Sequence, residues 1–180
     1  MRRLAAVVLV VASLVLPFGA SVPTRAAEEG GGVAPVWIWI PAIGVEAAIE
    51  EVGIDDGRMG VPTDPWNVGW YPDLGYLGDG DNVVMAGHVD WWGYGPTVFA
   101  DLASLGPDDE IVGGGDDGAS YVYAVADTWT VDATSPAEDV WRIFHPDVDQ
   151  SLTLITCAGD FDGDAYDARL VVRAELIATA

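Results

Sequence analysis

The sequence predicts a mainly β fold, a closed β-barrel with short helices between its strands. Short apolar stretches with strand-like alternation recur along the chain, Gly-, Asp- and Pro-rich turns separate them, and only one segment carries a good helix start. The chain has 180 residues, so one domain with a real core is expected. Apolar residues make up 51% of it, which excludes disorder for the body of the chain.

Residues 36–40 (VWIWI) set Trp37 and Trp39 against Val36, Ile38 and Ile40. Both faces are apolar, so this strand and its two tryptophans are expected to help build the core. Pro41 ends it, residues 43–54 continue as another strand or two, and Asp55-Asp56-Gly57 forms a turn. Residues 59–78 are rich in Pro, Gly, Trp and Tyr and read as irregular structure, with a helical turn near 65–67. Trp66 and Trp70 there, like Trp91 and Trp92, line a groove for peptide or sugar or simply cover the barrel.

Residues 82–86 (NVVMA) form a short buried strand that runs into Gly87-His88-Val89-Asp90-Trp91-Trp92. A helical turn over 99–105, a brief strand over 110–112, a glycine-rich turn over 113–118 and a strand over 121–127 follow. Ser135-Pro136-Ala137-Glu138 starts a helix, with Ser135 as cap, and His145-Pro146 ends it near Phe144. The last two strands bracket a polar loop. One ends in Cys157, the other opens with Arg169.

The N-terminus has a different character. Met1-Arg2-Arg3 precedes an apolar run from Leu4 to Leu16 and a small-residue segment at Ala26-Ala27, the pattern of a secretory signal. Residues 1–27 are therefore read as a signal peptide or N-terminal membrane anchor, 28–34 as a flexible linker, and 35–178 as the folded domain. Either version places the domain outside the cytoplasmic membrane, at the cell surface or secreted. The formal charge is -22, there is no lysine, and only Arg58, Arg142, Arg169 and Arg173 lie beyond the leader. Nucleic acid is excluded as a partner, because phosphate binding needs a basic footprint.

Export makes the single cysteine informative. No intramolecular disulfide can form, so Cys157 is an intermolecular link, a reactive thiol or a buried small hydrophobe. A cysteine nucleophile needs a proton-transfer partner and a stabiliser of negative charge. Of the two histidines, His88 is favoured over His145 because it follows a strand directly after a glycine. Alternation puts Leu170, Val172, Ala174 and Leu176 on one face and Arg169, Val171, Arg173 and Glu175 on the other. Arg169 is thus free of the core, either to serve chemistry or to pair with an aspartate.

Asp160, Asp162 and Asp164 alternate like calcium ligands, but Ala165 and Val171 stand where an EF-hand loop has Gly and Glu. Calcium is therefore disfavoured. Zinc is too, since one cysteine and two histidines make a thin ligand set.

Thr153-Leu154-Ile155-Thr156-Cys157 resembles the TLxTC signature of the sortase family, the exported cysteine transpeptidases of Gram-positive cell walls. Ala86-Gly87-His88 resembles its histidine motif, and the segment from Ile40 to Val45 (IPAIGV) resembles its early strand. Val68-Gly69-Trp70-Tyr71 and Gly87-His88-Val89-Asp90 look most like class F members. The likeness covers essentially residues 36–176.

The resemblance implies an eight-stranded barrel and a thiol-peptidase-like reaction (EC 3.4.22-like) that requires no cofactor. Cys157 would attack an LPxTG-like sorting signal after its threonine. His88 would transfer protons, and Arg169, at the position of the family's arginine, would bind substrate or oxyanion. The acyl group would then pass to an amine of the cell wall precursor. Trp91, Trp92 and Thr156 are the candidate substrate contacts. Two alternatives stand beside this: the same fold as a peptide hydrolase, and a non-catalytic exported barrel binding sugar or calcium. The chain's acidity disfavours a thiolate. Charges beyond about 8 Å are screened at physiological salt, so His88 and Arg169 are expected to supply the local positive field.

Overall fold

The computed structural model describes residues 31–180, so the expected leader and the first part of the linker lie outside the described residues. Twelve strands follow in chain order: β1 (Pro35–Ile40), β2 (Val45–Glu51), β3 (Ile54–Asp55), β4 (Arg58–Met59), β5 (Val68–Trp70), β6 (Asn82–Ala86), β7 (Asp90–Trp91), β8 (Gly95–Pro96), β9 (Glu110–Gly115), β10 (Ser120–Asp132), β11 (Ser151–Phe161) and β12 (Tyr166–Thr179). One α-helix, α1 (Ala137–Phe144), precedes β11. Eight strands close into a barrel in the order β1-β2-β5-β6-β11-β12-β10-β9, while β3-β4 and β7-β8 are separate two-stranded ribbons. The mainly β, closed eight-stranded barrel expected from the sequence is the fold observed. Among the described residues, no helix is long and apolar enough to cross a membrane.

Period-two alternation fills the barrel. Ile38, Ile40, Val83, Met85, Leu152, Leu154, Leu170 and Val172 all point inward and are buried. Each such side chain contributes about 1.5–3 kcal/mol of burial. The strands β6, β11 and β12 are apolar outside as well, where Val84, Ile155 and Val171 pack with Tyr71 and with Ile143 of α1. That is why NVVMA, SLTLIT and RLVVRA read as continuous apolar runs rather than alternating ones.

Polar links tie α1 to this outer face. Arg173 Nη2 donates to the Ile143 carbonyl at 2.7 Å, and Asn82 Nδ2 donates to the Ile143 and Phe144 carbonyls at 3.3 and 3.1 Å. Asn82 Oδ1 in turn accepts the hydroxyls of Ser151 and Thr153. The orphan carbonyls at the helix C-terminus are satisfied in this way. Three consecutive central strands, covered on both faces, give a rigid platform for whatever their ends carry.

Several expectations are corrected. Trp37 and Trp39 are 37% and 46% exposed, because inward alternation selects Ile38 and Ile40 and puts both indoles outside. Residues 113–115 extend β9 instead of forming a turn. The reason is packing: the Trp37 indole lies on Gly114, where a Cβ would overlap the ring. The irregular stretch 59–78 contains the buried strand β5, with Trp70 in the core, and its 3-10 turn falls at Pro72–Leu74. Pro136, one residue after the expected Ser135, is the N-cap of α1, and its ring offers no capping oxygen.

Candidate active site

The site forms at the C-terminal end of β6, where β11 and β12 run on past it as a hairpin. β11 lies between the other two, parallel to β6 with Ile155 beside Ala86, and antiparallel to β12 with Cys157 directly opposite Arg169. The β6–β11 pairing ends two residues before His88, whose neighbour Gly87 is still bonded to β11. Cys157 and Arg169 thus stand side by side in one row, with His88 just past the end of β6 on the other side of β11. All three have the parity of Ile155 and Val171, so they lie outside the barrel, at the rim of the outer cluster. Each is half-buried.

Residues just before the row hold it in register. Gly87 N donates to the Ile155 carbonyl at 3.1 Å, and Thr156 Oγ1 donates to the Gly87 carbonyl at 2.8 Å. The Gly87 peptide is therefore clamped to β11 on both sides, one residue ahead of both His88 and Cys157. Glycine is required there because a Cβ would stand 2.6 Å from Phe99 Cδ2 and 2.9 Å from Val98 Cγ1. Thr156, expected to touch substrate, is 4% exposed, and its hydroxyl is bonded to the Gly87 carbonyl.

His88 has a defined orientation. Its Nε2 lies 3.0 Å from the Pro62 carbonyl, which can only accept, so Nε2 carries a proton and Nδ1 is left for proton transfer. Its own carbonyl accepts from Thr97 Oγ1 and Phe99 N, both at 2.9 Å. Pro62 is held from β2. The Glu50 carboxylate accepts Thr63 N, Thr63 Oγ1, Asp64 N and Asn67 Nδ2 at 2.8–3.0 Å. Led by the Thr63 amide, these donors pull the Glu50 carboxyl down to about 2.

Trp91 meets the His88 ring edge-on, with centroids 4.7 Å apart. Trp92 is 93% exposed, farther out on the same ribbon. His145, by contrast, ends α1 and stacks on Trp141 at 3.5 Å. It leads into the N-terminal end of β11, opposite to Cys157.

On the other side of the cysteine, Arg169 Nη1 donates to the Tyr166 and Ala168 carbonyls at 3.0 and 2.7 Å. Its Nε and Nη2 carry three further N–H donors. The loop between β11 and β12 is shorter than the sequence suggests, since Phe161 and Tyr166 still pair across the hairpin. Asp162 caps its tip, accepting Asp164 N and Ala165 N, and these bonds lower its carboxyl. Asp160 and Asp164 are exposed at the same tip. Among the described residues, no group of three or more His, Cys, Asp or Glu is arranged to hold a metal ion.

Sequence reasoning passed over Tyr166 and Pro62. Pro62 acts through a backbone carbonyl, which leaves no signal in residue identity. Tyr166 was visible only as an aromatic in an acidic loop.

A thiol and a guanidinium on paired strands, with an imidazole on the segment beside them, are the group types that thiol acyl transfer uses. The Sortase domain family model matches residues 38–177, and the chain belongs to the sortase family of cysteine transpeptidases. Solved structures share the fold. Sortase A from Listeria monocytogenes is 23% identical with a TM-score of 0.60, over 81% of this chain and 89% of that one. Sortase A from Corynebacterium diphtheriae is 22% identical with a TM-score of 0.63, over 81% of this chain and 62% of that one. Sortase E1 from Streptomyces coelicolor, solved with a tripeptide in its active site, is 24% identical with a TM-score of 0.60, over 84% and 93%. No curated protein resembles the chain closely enough to count as a match.

Proposed function

We propose that this sortase cleaves an LPxTG-like sorting signal after its threonine and transfers the acyl group to an amine of the cell wall. The observation that carries the reading is the pairing of Cys157 with Arg169 across β11 and β12, with His88 just past the end of β6 on the other side of β11. Cys157 Sγ gives its proton to His88 Nδ1 and attacks the threonine carbonyl, and the tetrahedral oxyanion collapses to a thioester as the C–N bond breaks. The departing amine takes a proton from His88 Nδ1, the nitrogen left free by the Pro62 bond. An incoming amine then attacks the thioester, gives its proton to Nδ1 and regenerates the thiol. While His88 is an imidazolium, the Pro62 carbonyl stabilises it.

Arg169 offers Nε and Nη2 to the substrate backbone or the oxyanion, because Nη1 is already committed to the hairpin. No metal is needed for any step. Trp91 and Trp92 form the outer wall beside His88 and are the substrate contacts that remain once Thr156 is assigned to Gly87. The GHVD and VGWY segments support placement near class F, and the leader pattern supports action at the outer surface of the cell, anchored or released.

Product analysis with an LPxTG-like peptide tests the reading. Peptide joined to an added oligoglycine-type amine is expected, and product only from water, whatever the amine concentration, would make the protein a hydrolase. No cleavage at all would overturn the proposal.

A further inference from the structure

We propose that Tyr166 is a positioning residue that latches the histidine loop to the cysteine–arginine hairpin, gripping Asp90 with its side chain and Arg169 with its backbone. The inference rests on the proposed roles of Cys157, His88 and Arg169, and adds a residue to them.

The β6–β11 ladder stops at Ala86 and Ile155, just before the reactive side chains. Beyond it, the histidine segment leaves the barrel as the β7-β8 ribbon, and backbone pairing no longer sets its distance from β11. The Thr156–Gly87 bond ties the base of this gap. Tyr166 ties the top. Its hydroxyl donates to Asp90 Oδ2 at 2.6 Å, a short charge-assisted bond across 76 residues of sequence. Its carbonyl accepts Arg169 Nη1 at 3.0 Å, and its ring packs on Phe161 with centroids 5.1 Å apart.

One residue therefore bonds both the guanidinium and a loop position two residues after His88. Trp91, next along that loop, is the residue set edge-on against the His88 ring. The Asp90 carboxylate thus takes the Tyr166 phenol. Cys157 lies near enough to act on the same phenol, which is raised by the Asp90 bond first, then burial, then the charges of Asp90 and Cys157.

Asp90 is exposed and Tyr166 half-buried, so substitution leaves the core intact. Tyr166→Phe keeps the ring and removes only the hydroxyl, and Asp90→Asn keeps an acceptor oxygen. Tyr166→Phe and Asp90→Ala are each expected to lower kcat about tenfold, the rate equivalent of one charge-assisted hydrogen bond, with KM nearly unchanged. The double variant should be no worse than either single one, and Asp90→Asn should retain most activity. A second arm needs no peptide: iodoacetamide alkylation of Cys157 should slow in Tyr166→Phe and Asp90→Ala and recover in Asp90→Asn. Wild-type behaviour of Tyr166→Phe in this arm, or additive losses in the double variant, would overturn the latch. Failure of the wild type to turn over any sorting-signal peptide would instead count against the proposed function, and the alkylation arm would still decide the latch.

Discussion

Thr156→Val removes one atom's worth of chemistry from the centre of the site. Valine matches threonine in shape, so the barrel keeps its packing, but the donor to the Gly87 carbonyl is lost from a side chain only 4% exposed. A net hydrogen bond contributes about 1 kcal/mol, and a stranded acceptor raises the cost to about 1–2 kcal/mol. For a domain of this size that lowers Tm by about 3–6 °C. The effect on rate should be larger than on stability, because Gly87 is the last fixed point before His88. A displacement of the imidazole by about 1 Å is enough to cost on the order of a hundredfold in kcat/KM. The assay is peptide turnover at a temperature where both proteins are folded, with melting measured in parallel. Thr156→Ser, which keeps the donor, should recover most of the rate. A Thr156→Val enzyme that melts earlier yet turns over normally would refute the argument that the clamp positions His88.

His88→Ala should move the pH–rate profile of Cys157 alkylation to higher pH, since a cation beside the thiolate is lost; an unchanged profile contradicts that role. Glu50 ties acid stability to the site. Its carboxyl is lowered from 4.5 to about 2, so its contribution is complete above about 4.5 and is lost as pH falls toward about 2. Wild type should therefore melt above Glu50→Gln at neutral pH, with the gap closing across that window, and a gap independent of pH would count against it. The group is mostly exposed, so the gap should be small and shrink with salt. Arg173→Ala should destabilise by about 2–3 kcal/mol through the lost charged bond to the Ile143 carbonyl, read by chemical denaturation. Arg173→Met should cost less, because burial already penalises this guanidinium and its Nε has no partner. Equal losses in the two variants would refute that reasoning.

Much of the barrel is legible in the sequence because strand alternation is local. Leu152 and Leu154, and Leu170 and Val172, announce their inward face from spacing alone. Trp37 and Trp39 misled because a strand apolar on both faces does not reveal which face is inside. The glycines at 113–115 misled for the opposite reason: each leaves room for a neighbour that sequence does not bring near, Leu77 at Gly113, Trp37 at Gly114 and Val33 at Gly115. Cys157 and Arg169 could be paired in advance, since one hairpin carries both. The parallel pairing of β6 with β11, which brings His88 to them, joins segments about seventy residues apart in sequence and leaves no local trace. The Pro62 carbonyl and the Tyr166–Asp90 bond were invisible for the same reason.

Cys157 is the nucleophile of the proposed thioacyl transfer. Intact-protein mass spectrometry after incubation with an LPxTG-like peptide, quenched in acid without an added amine, tests it most directly. The expected result is a mass increase equal to the acyl fragment ending in threonine, mapped to Cys157 and absent in Cys157→Ala. Cleavage without that adduct, or cleavage that survives in Cys157→Ala, would contradict it.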